Sequence, residues 1–105
     1  MTNQEFMLEV DASNNRSKRV LLRKGVEYSY EDGDRLEQFY RAGCAQLITA
    51  ESALIGMATK HFTSIADMAK NPYDYNLKQW DAKITDLRNY TYLLDALIRN
   101  TDEDE

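Results

Sequence analysis

The sequence predicts an all-α protein whose four helices pack in a bundle-like arrangement. Three observations predict it. One Pro and four Gly stand against many Leu, Ala, Lys, Arg and Glu in 105 residues, a composition that favours helix over sheet. Apolar residues recur every three or four positions along four separate stretches. Helix-starting caps at Thr2, Asp34 and Thr49 and a stop at Asn71-Pro72 bound those stretches. The length fits one domain. Residues 1–100 are expected to form it, and residues 101–105 a disordered acidic tail.

The first helix is expected over residues 3–28. Thr2 and Glu5 match a capping box, and Phe6, Val10, Ser13, Ser17, Val20, Leu21, Lys24 and Tyr28 share one face. Asp11 to Ser17 is weak helix, so a break with a second start near Ser13 is the alternative. Ser29 to Gly33 reads as a loop, with Tyr30, Glu31, Asp32 and Gly33 as turn residues. Asp34 caps the second helix, whose inner residues are expected to be Leu36, Phe39, Tyr40, Gly43 and Leu47. Gly43 suits a close approach of another helix.

Thr49 caps the third helix, with Leu54, Met57, Ala58, His61, Ile65 and Met68 as its spine. Lys60, Ser64 and Asp67 form a second stripe beside it. Pro72 turns Asn71 away from helical angles and ends the helix. The fourth helix starts near Leu77. Trp80, Ile84, Leu87, Thr91, Leu94 and Ile98 form its expected spine, and Asp86, Tyr90, Leu93 and Leu97 a second stripe.

Composition also excludes function classes. No apolar run approaches the ~18 residues of a membrane span. The N-terminus lacks a basic stretch followed by an apolar one, so no secretory signal is expected and the compartment is the cytoplasm. The single cysteine, Cys44, excludes an internal disulfide and reads as a buried structural thiol. A net charge of −5 opposes general binding to nucleic acid. One segment, Arg16, Lys18, Arg19, Arg23 and Lys24, is locally basic. It reads as a solvated helix face, with a phosphate-binding patch as the alternative.

Polar residues interrupt the apolar faces at Lys24, Glu27, Asp34, Lys60, His61, Asp67, Lys83 and Asp86. Helical bundles build metal and ligand sites from such inward-projecting groups. An oxygen-rich set suits Mg²⁺ or Mn²⁺ rather than zinc. Magnesium beside lysines suits a nucleoside triphosphate, with a carboxylate orienting the attacking water. A structural reading stands beside this one. An ion pair of Asp86 with Lys83 or Lys24 would satisfy the carboxylate, and His61 would be a hydrogen-bonded core residue.

Four segments carry a family resemblance. They are Lys24-x-x-Glu27-Tyr28, Asp34-Arg35-Leu36-x-x-Phe39, Lys60-His61-x-x-Ser64-Ile65-x-Asp67 and Trp80-x-x-Lys83-Ile84-x-Asp86-x-x-Asn89-Tyr90. Across roughly residues 18–98 the chain resembles small phage-encoded helical proteins similar to the MazG-type all-α nucleotide pyrophosphohydrolases and the nucleotide-modification-associated domains. The segment from Lys83 to Tyr90 is the most specific part, and Asp86 falls on the last metal-binding aspartate of that superfamily.

The resemblance implies a Mg²⁺-dependent hydrolysis of a nucleoside triphosphate to a monophosphate and pyrophosphate, in a homo-oligomer. It implies Glu27, Asp67 and Asp86 as metal ligands, with Glu27 and Asp86 as the catalytic carboxylates. Lys24, Lys60, His61, Lys83 and Asn89 would contact the nucleotide. The chain departs from the pattern in lacking a helical E-E-x-x-E and in placing Lys83 where the second motif has glutamate. Its one literal E-x-x-D, Glu31 to Asp34, falls in the predicted loop. The alternative is a non-enzymatic phage accessory protein that binds a host protein through the acidic tail and the Tyr73-Asp74-Tyr75 loop.

Overall fold

Thr2 and Glu5 close the reciprocal cap that the sequence predicts. The Glu5 amide donates to Thr2 Oγ1 at 3.1 Å, and the Thr2 amide donates to Glu5 Oε2 at 3.0 Å. In the computed structural model this cap opens helix α1, Asn3–Ser29. The structure describes residues 1–29 and 33–103, without the side chains of residues 28, 29 and 101–103. The expected inward placement of Tyr28 and the turn residues Tyr30, Glu31 and Asp32 lie outside the described residues.

Helix α1 runs unbroken through Asp11–Ser17, where a break was the alternative. Tertiary contacts override the weak local propensity there. Arg88 Nη1 donates to the Ser13 carbonyl at 3.2 Å and to Ser17 Oγ at 3.0 Å. Asn89 Nδ2 donates to the Ser17 carbonyl at 3.3 Å, and Tyr92 donates to Asn14 Oδ1 at 2.9 Å. The small polar residues that weaken the helix locally are thus its attachment points.

Asp34 starts the next turn, with its carboxylate accepting from the Leu36 amide at 2.9 Å and its carbonyl accepting from Glu37 at 3.3 Å. Helix α2 follows, Glu37–Gln46. It stops at Leu47, whose φ of 57° is left-handed. The Ile48 amide then closes on the Gly43 carbonyl at 2.9 Å, a helix-terminating bond of the Schellman type. Leu47 was expected on the inner face, but it is 93% exposed, because the helix ends before the wheel can bring it round. Cys44 is exposed rather than buried, being one step off the Phe39–Gly43 face.

Gly43 makes the close approach expected of it. A Cβ there would lie 2.8 Å from the Ile48 carbonyl and 3.0 Å from the Ala50 amide. Helix α3, Ala50–Ala69, begins behind that contact, capped by Thr49 Oγ1 accepting from Ser52 at 3.0 Å. Asn71 leaves helical angles ahead of Pro72, as predicted. A 3-10 turn over Pro72–Asp74 leads into α4, Leu77–Glu103. Asn76 and Gln79 exchange 2.8 Å bonds at its start. Helix α4 carries through Glu103, into the stretch expected as a disordered tail, and Asp104 and Glu105 lie outside the described residues.

The described residues are all-helical. None of their helices is long and apolar enough to cross a membrane. The close pairs are α2 with α3, α3 with α4, and α4 with α1. Phe39, Ala50, Leu54, Leu93 and Leu97 form the core, with Leu21, Leu36, Met57, Tyr90 and Leu94 against it. On α4 the buried line is Thr85, Asn89, Leu93 and Leu97. The expected spine is displaced, since Ile84, Thr91 and Ile98 are exposed. Apolar periodicity placed it wrongly because two inward residues, Thr85 and Asn89, are polar.

Two substitutions test the α2–α3 corner by urea denaturation. Gly43→Ala is expected to lose about 2 kcal/mol, since neither backbone neighbour can retreat. Leu47→Gly is expected to gain about 1 kcal/mol by relieving the left-handed residue. Parent-like stability of Gly43→Ala would contradict the close approach.

Candidate functional site

Ser17 is fully buried on α1, and its carbonyl and hydroxyl are both taken by α4. Two turns further along α1 the same register brings Lys24 to Asp86. Lys24 Nζ donates to Asp86 Oδ1 at 3.3 Å. His61 on α3 approaches the other carboxylate oxygen, with Nδ1 3.8 Å from Oδ2, and its ring packs on Tyr90 at a 5.1 Å centroid distance. Side chains of Lys24, His61 and Asp86 keep a quarter to a third of their surface exposed. An ion pair so exposed contributes on the order of 1 kcal/mol.

This pair is the Lys24–Asp86 contact of the structural reading, yet a cavity remains beside it. The cavity is about 170 Å³ and lies between α1, the start of α2 and α4. Lys24, Arg35, Gln38, Asp86, Asn89 and Tyr90 give its polar lining, and Leu21, Phe39 and Leu93 the apolar part. Asn89 is only 6% exposed. Its Nδ2 is held by Ser17, and its buried Oδ1 accepts no hydrogen bond from the described residues. A buried acceptor left open costs about 1–3 kcal/mol until a donor fills it.

A second hollow, about 470 Å³, runs between α1 and α4 and shares Lys24 and Asp86 with the cavity. Arg16, Arg19 and Arg23 line it from α1, with Asp81 and Thr85 opposite. The locally basic segment therefore borders a groove and not open solvent alone.

The site residues expected from sequence divide into two groups. Lys24, Asp86 and Asn89 line the cavity, and His61 approaches Asp86 from α3 without lining it. Lys83 and Asp67 line a separate hollow of about 330 Å³ between α3 and α4, with Ser64, Tyr75 and Gln79. Asp67 also pairs with Lys70 at 3.6 Å on the surface. Glu27 and Lys60 are exposed and line neither space.

Asp86 is the single carboxylate lining the cavity among the described residues. Among those residues no three His, Cys, Asp or Glu side chains converge as metal ligands. The set Glu27, Asp67 and Asp86 is thus not assembled, and the described residues do not fit an intrinsic magnesium site.

Sequence reasoning passed over Arg35 and Gln38. Their signal was their spacing around Phe39, which carries them past the core and onto the edge of the cavity. Arg88 was also missed, although an arginine between Thr85 and Asn89 is well placed to reach a neighbouring helix. The Tyr73-Asp74-Tyr75 loop is anchored on one side, because Tyr75 packs edge-on against Trp80 at 6.3 Å. Trp80 Nε1 donates to the Pro72 carbonyl at 3.1 Å. Tyr73 is fully exposed.

No family model, no curated protein and no solved structure matches the chain.

The α1–α4 attachment can be tested directly. Arg88→Met is expected to cost about 2 kcal/mol by orphaning the Ser13 and Ser17 acceptors. Hydrogen exchange should quicken in α1 while α2 and α3 keep their protection. Uniform loss of protection across the chain would show that the attachment is not local.

Proposed function

We propose that this chain is a nucleotide-binding protein whose site is the cavity between α1, α2 and α4, continued by the basic groove. The observation that carries the reading is the open Asn89 Oδ1, buried beside Tyr90 and Phe39 and flanked by Lys24 and Arg35. An aromatic base supplies the missing donor through an amino or ring N–H group. It also matches the apolar and aromatic walls. The cations meet phosphate as charge-assisted partners.

Size supports a division of labour. Small-molecule sites are usually about 300–1,000 Å³, so the cavity of about 170 Å³ takes only part of a nucleotide. The base fits there. The phosphates extend over Lys24 into the larger groove, toward Arg19 and Arg23. Asp86 holds Lys24 in position for the phosphates. The resemblance to MazG-like pyrophosphohydrolases supports the same ligand class. Binding is the reading these residues support. Intrinsic metal-dependent hydrolysis needs a ligand set that the described residues do not bring together.

Calorimetric titration with ribo- and deoxynucleoside triphosphates, with and without Mg²⁺, tests the proposal. At least one base is expected to bind, and Lys24→Met to weaken it about tenfold, or about 1.4 kcal/mol. Asn89→Leu, which removes the open acceptor, should weaken the nucleotide but spare inorganic triphosphate. Absence of binding for every base would overturn the reading. Pyrophosphate release that disappears in Asp86→Asn would extend it to hydrolysis.

A further inference from the structure

Five cations and no carboxylate fall between Ala12 and Val26 on α1, in a chain whose net charge is −5. Three of them, Arg16, Arg19 and Arg23, line one wall of the larger groove beside Lys24. Steps of three and four residues set them in a row along one side of the helix. Arg16 is steadied by Ser13 Oγ at 2.8 Å. Arg19 and Arg23 are exposed and make neither a hydrogen bond nor an ion pair with the described residues. Asp81, on the α4 wall of the same groove, pairs with neither. A row of arginines along a helix is the electrostatic footprint of a phosphate backbone.

The row is long. Arg16 to Lys24 is eight residues, a rise of about 12 Å along α1. That exceeds the three directly linked phosphates of a nucleoside triphosphate. At about 3.4 Å per phosphate it matches about four nucleotides of a stacked strand. The α4 wall sorts phosphate from sugar. Asp81 repels phosphate, which keeps the backbone on the arginine side and turns the sugars toward α4. A carboxylate there accepts a hydrogen bond from a ribose 2′-hydroxyl, the group that DNA lacks. The groove joins the cavity at Lys24 and Asp86. Only an unpaired strand can turn a base out of its stack and into that cavity, against Tyr90 and the open Asn89 Oδ1. The acidic remainder of the chain repels the strand elsewhere and confines it to this groove.

We infer that the groove binds single-stranded RNA, with its phosphates along Arg16, Arg19 and Arg23 and one base in the cavity. The inference rests on the nucleotide reading for that base and adds the strand beyond it.

Fluorescence anisotropy of a labelled, mixed-sequence single-stranded RNA tests it, beside the same sequence as DNA and as an RNA duplex. The RNA is expected to bind about tenfold more tightly than the DNA, the contribution of a hydroxyl bonded to a carboxylate. It should also bind more tightly than any nucleoside triphosphate, and the triphosphates should displace it. The logarithm of its affinity should fall against the logarithm of salt with a slope of about −3, or about 0.7 for each of four phosphates. Replacing Arg19 and Arg23 together by Gln, at positions that hold nothing in the fold, should reduce the slope by about 1.4. Asp81→Asn should narrow the preference for RNA over DNA. A triphosphate that binds while RNA binds no better would overturn the inference and leave the nucleotide reading standing. DNA or duplex bound as tightly as the single-stranded RNA, or a slope unchanged by the double replacement, would also overturn it. Absence of binding for RNA and every triphosphate would overturn both.

Discussion

The structure depends on how α1 is held to α4. The contact is polar where helix pairs are usually apolar. Ser17 has no exposed surface, and Arg88 and Asn89 take its hydroxyl and carbonyl. Tyr92 and Asn14 add a further bond one turn away. Hydrogen bonds between buried groups contribute only about 1 kcal/mol each, but leaving them unmade costs more. They therefore fix register more than they add stability. A one-residue slip of α1 would leave several buried groups without partners at once.

That register has consequences along both helices. It sets Lys24 against Asp86 and turns the Arg16, Arg19 and Arg23 side of α1 toward the groove. It also keeps α1 off α2, because α1 packs closely on α4 while α2 packs on α3. The space between α1 and α2 is the cavity. Asn89 belongs to both systems. Its amide nitrogen holds Ser17, and its oxygen is left open at the cavity wall. The residue that locks the helix pair is thus the residue whose acceptor stays open at the proposed site.

Much of the architecture was legible because it rests on local chemistry. The Thr2–Glu5 box, the Thr49 cap, the stop at Asn71-Pro72 and the close approach at Gly43 are short-range effects of particular residue types. The inner face of α4 was less legible. Thr85 and Asn89 are buried through hydrogen bonds, and apolar periodicity has no means of finding them. Leu47 misled for the opposite reason, being apolar but placed where the helix terminates. The site was half legible. Lys24, His61 and Asp86 stood out as polar breaks in apolar stripes. Lys83 and Asp67 stood out equally, yet they fall on the far side of α4's inner line, at a different hollow. Arg35 and Gln38 reach the cavity from beside Phe39 at the start of α2, and neither interrupts an apolar stripe.

The central claim is that one nucleotide occupies the space between α1, α2 and α4. Amide and side-chain chemical shifts of the 12.2 kDa chain, followed while a nucleoside triphosphate is titrated in, test it most directly. The account predicts saturable shifts at Lys24, Arg35, Gln38, Asn89 and Tyr90, with the Asn89 side-chain amide among the largest. Shifts confined to the hollow around Asp67 and Lys83, or none with any base, would contradict it.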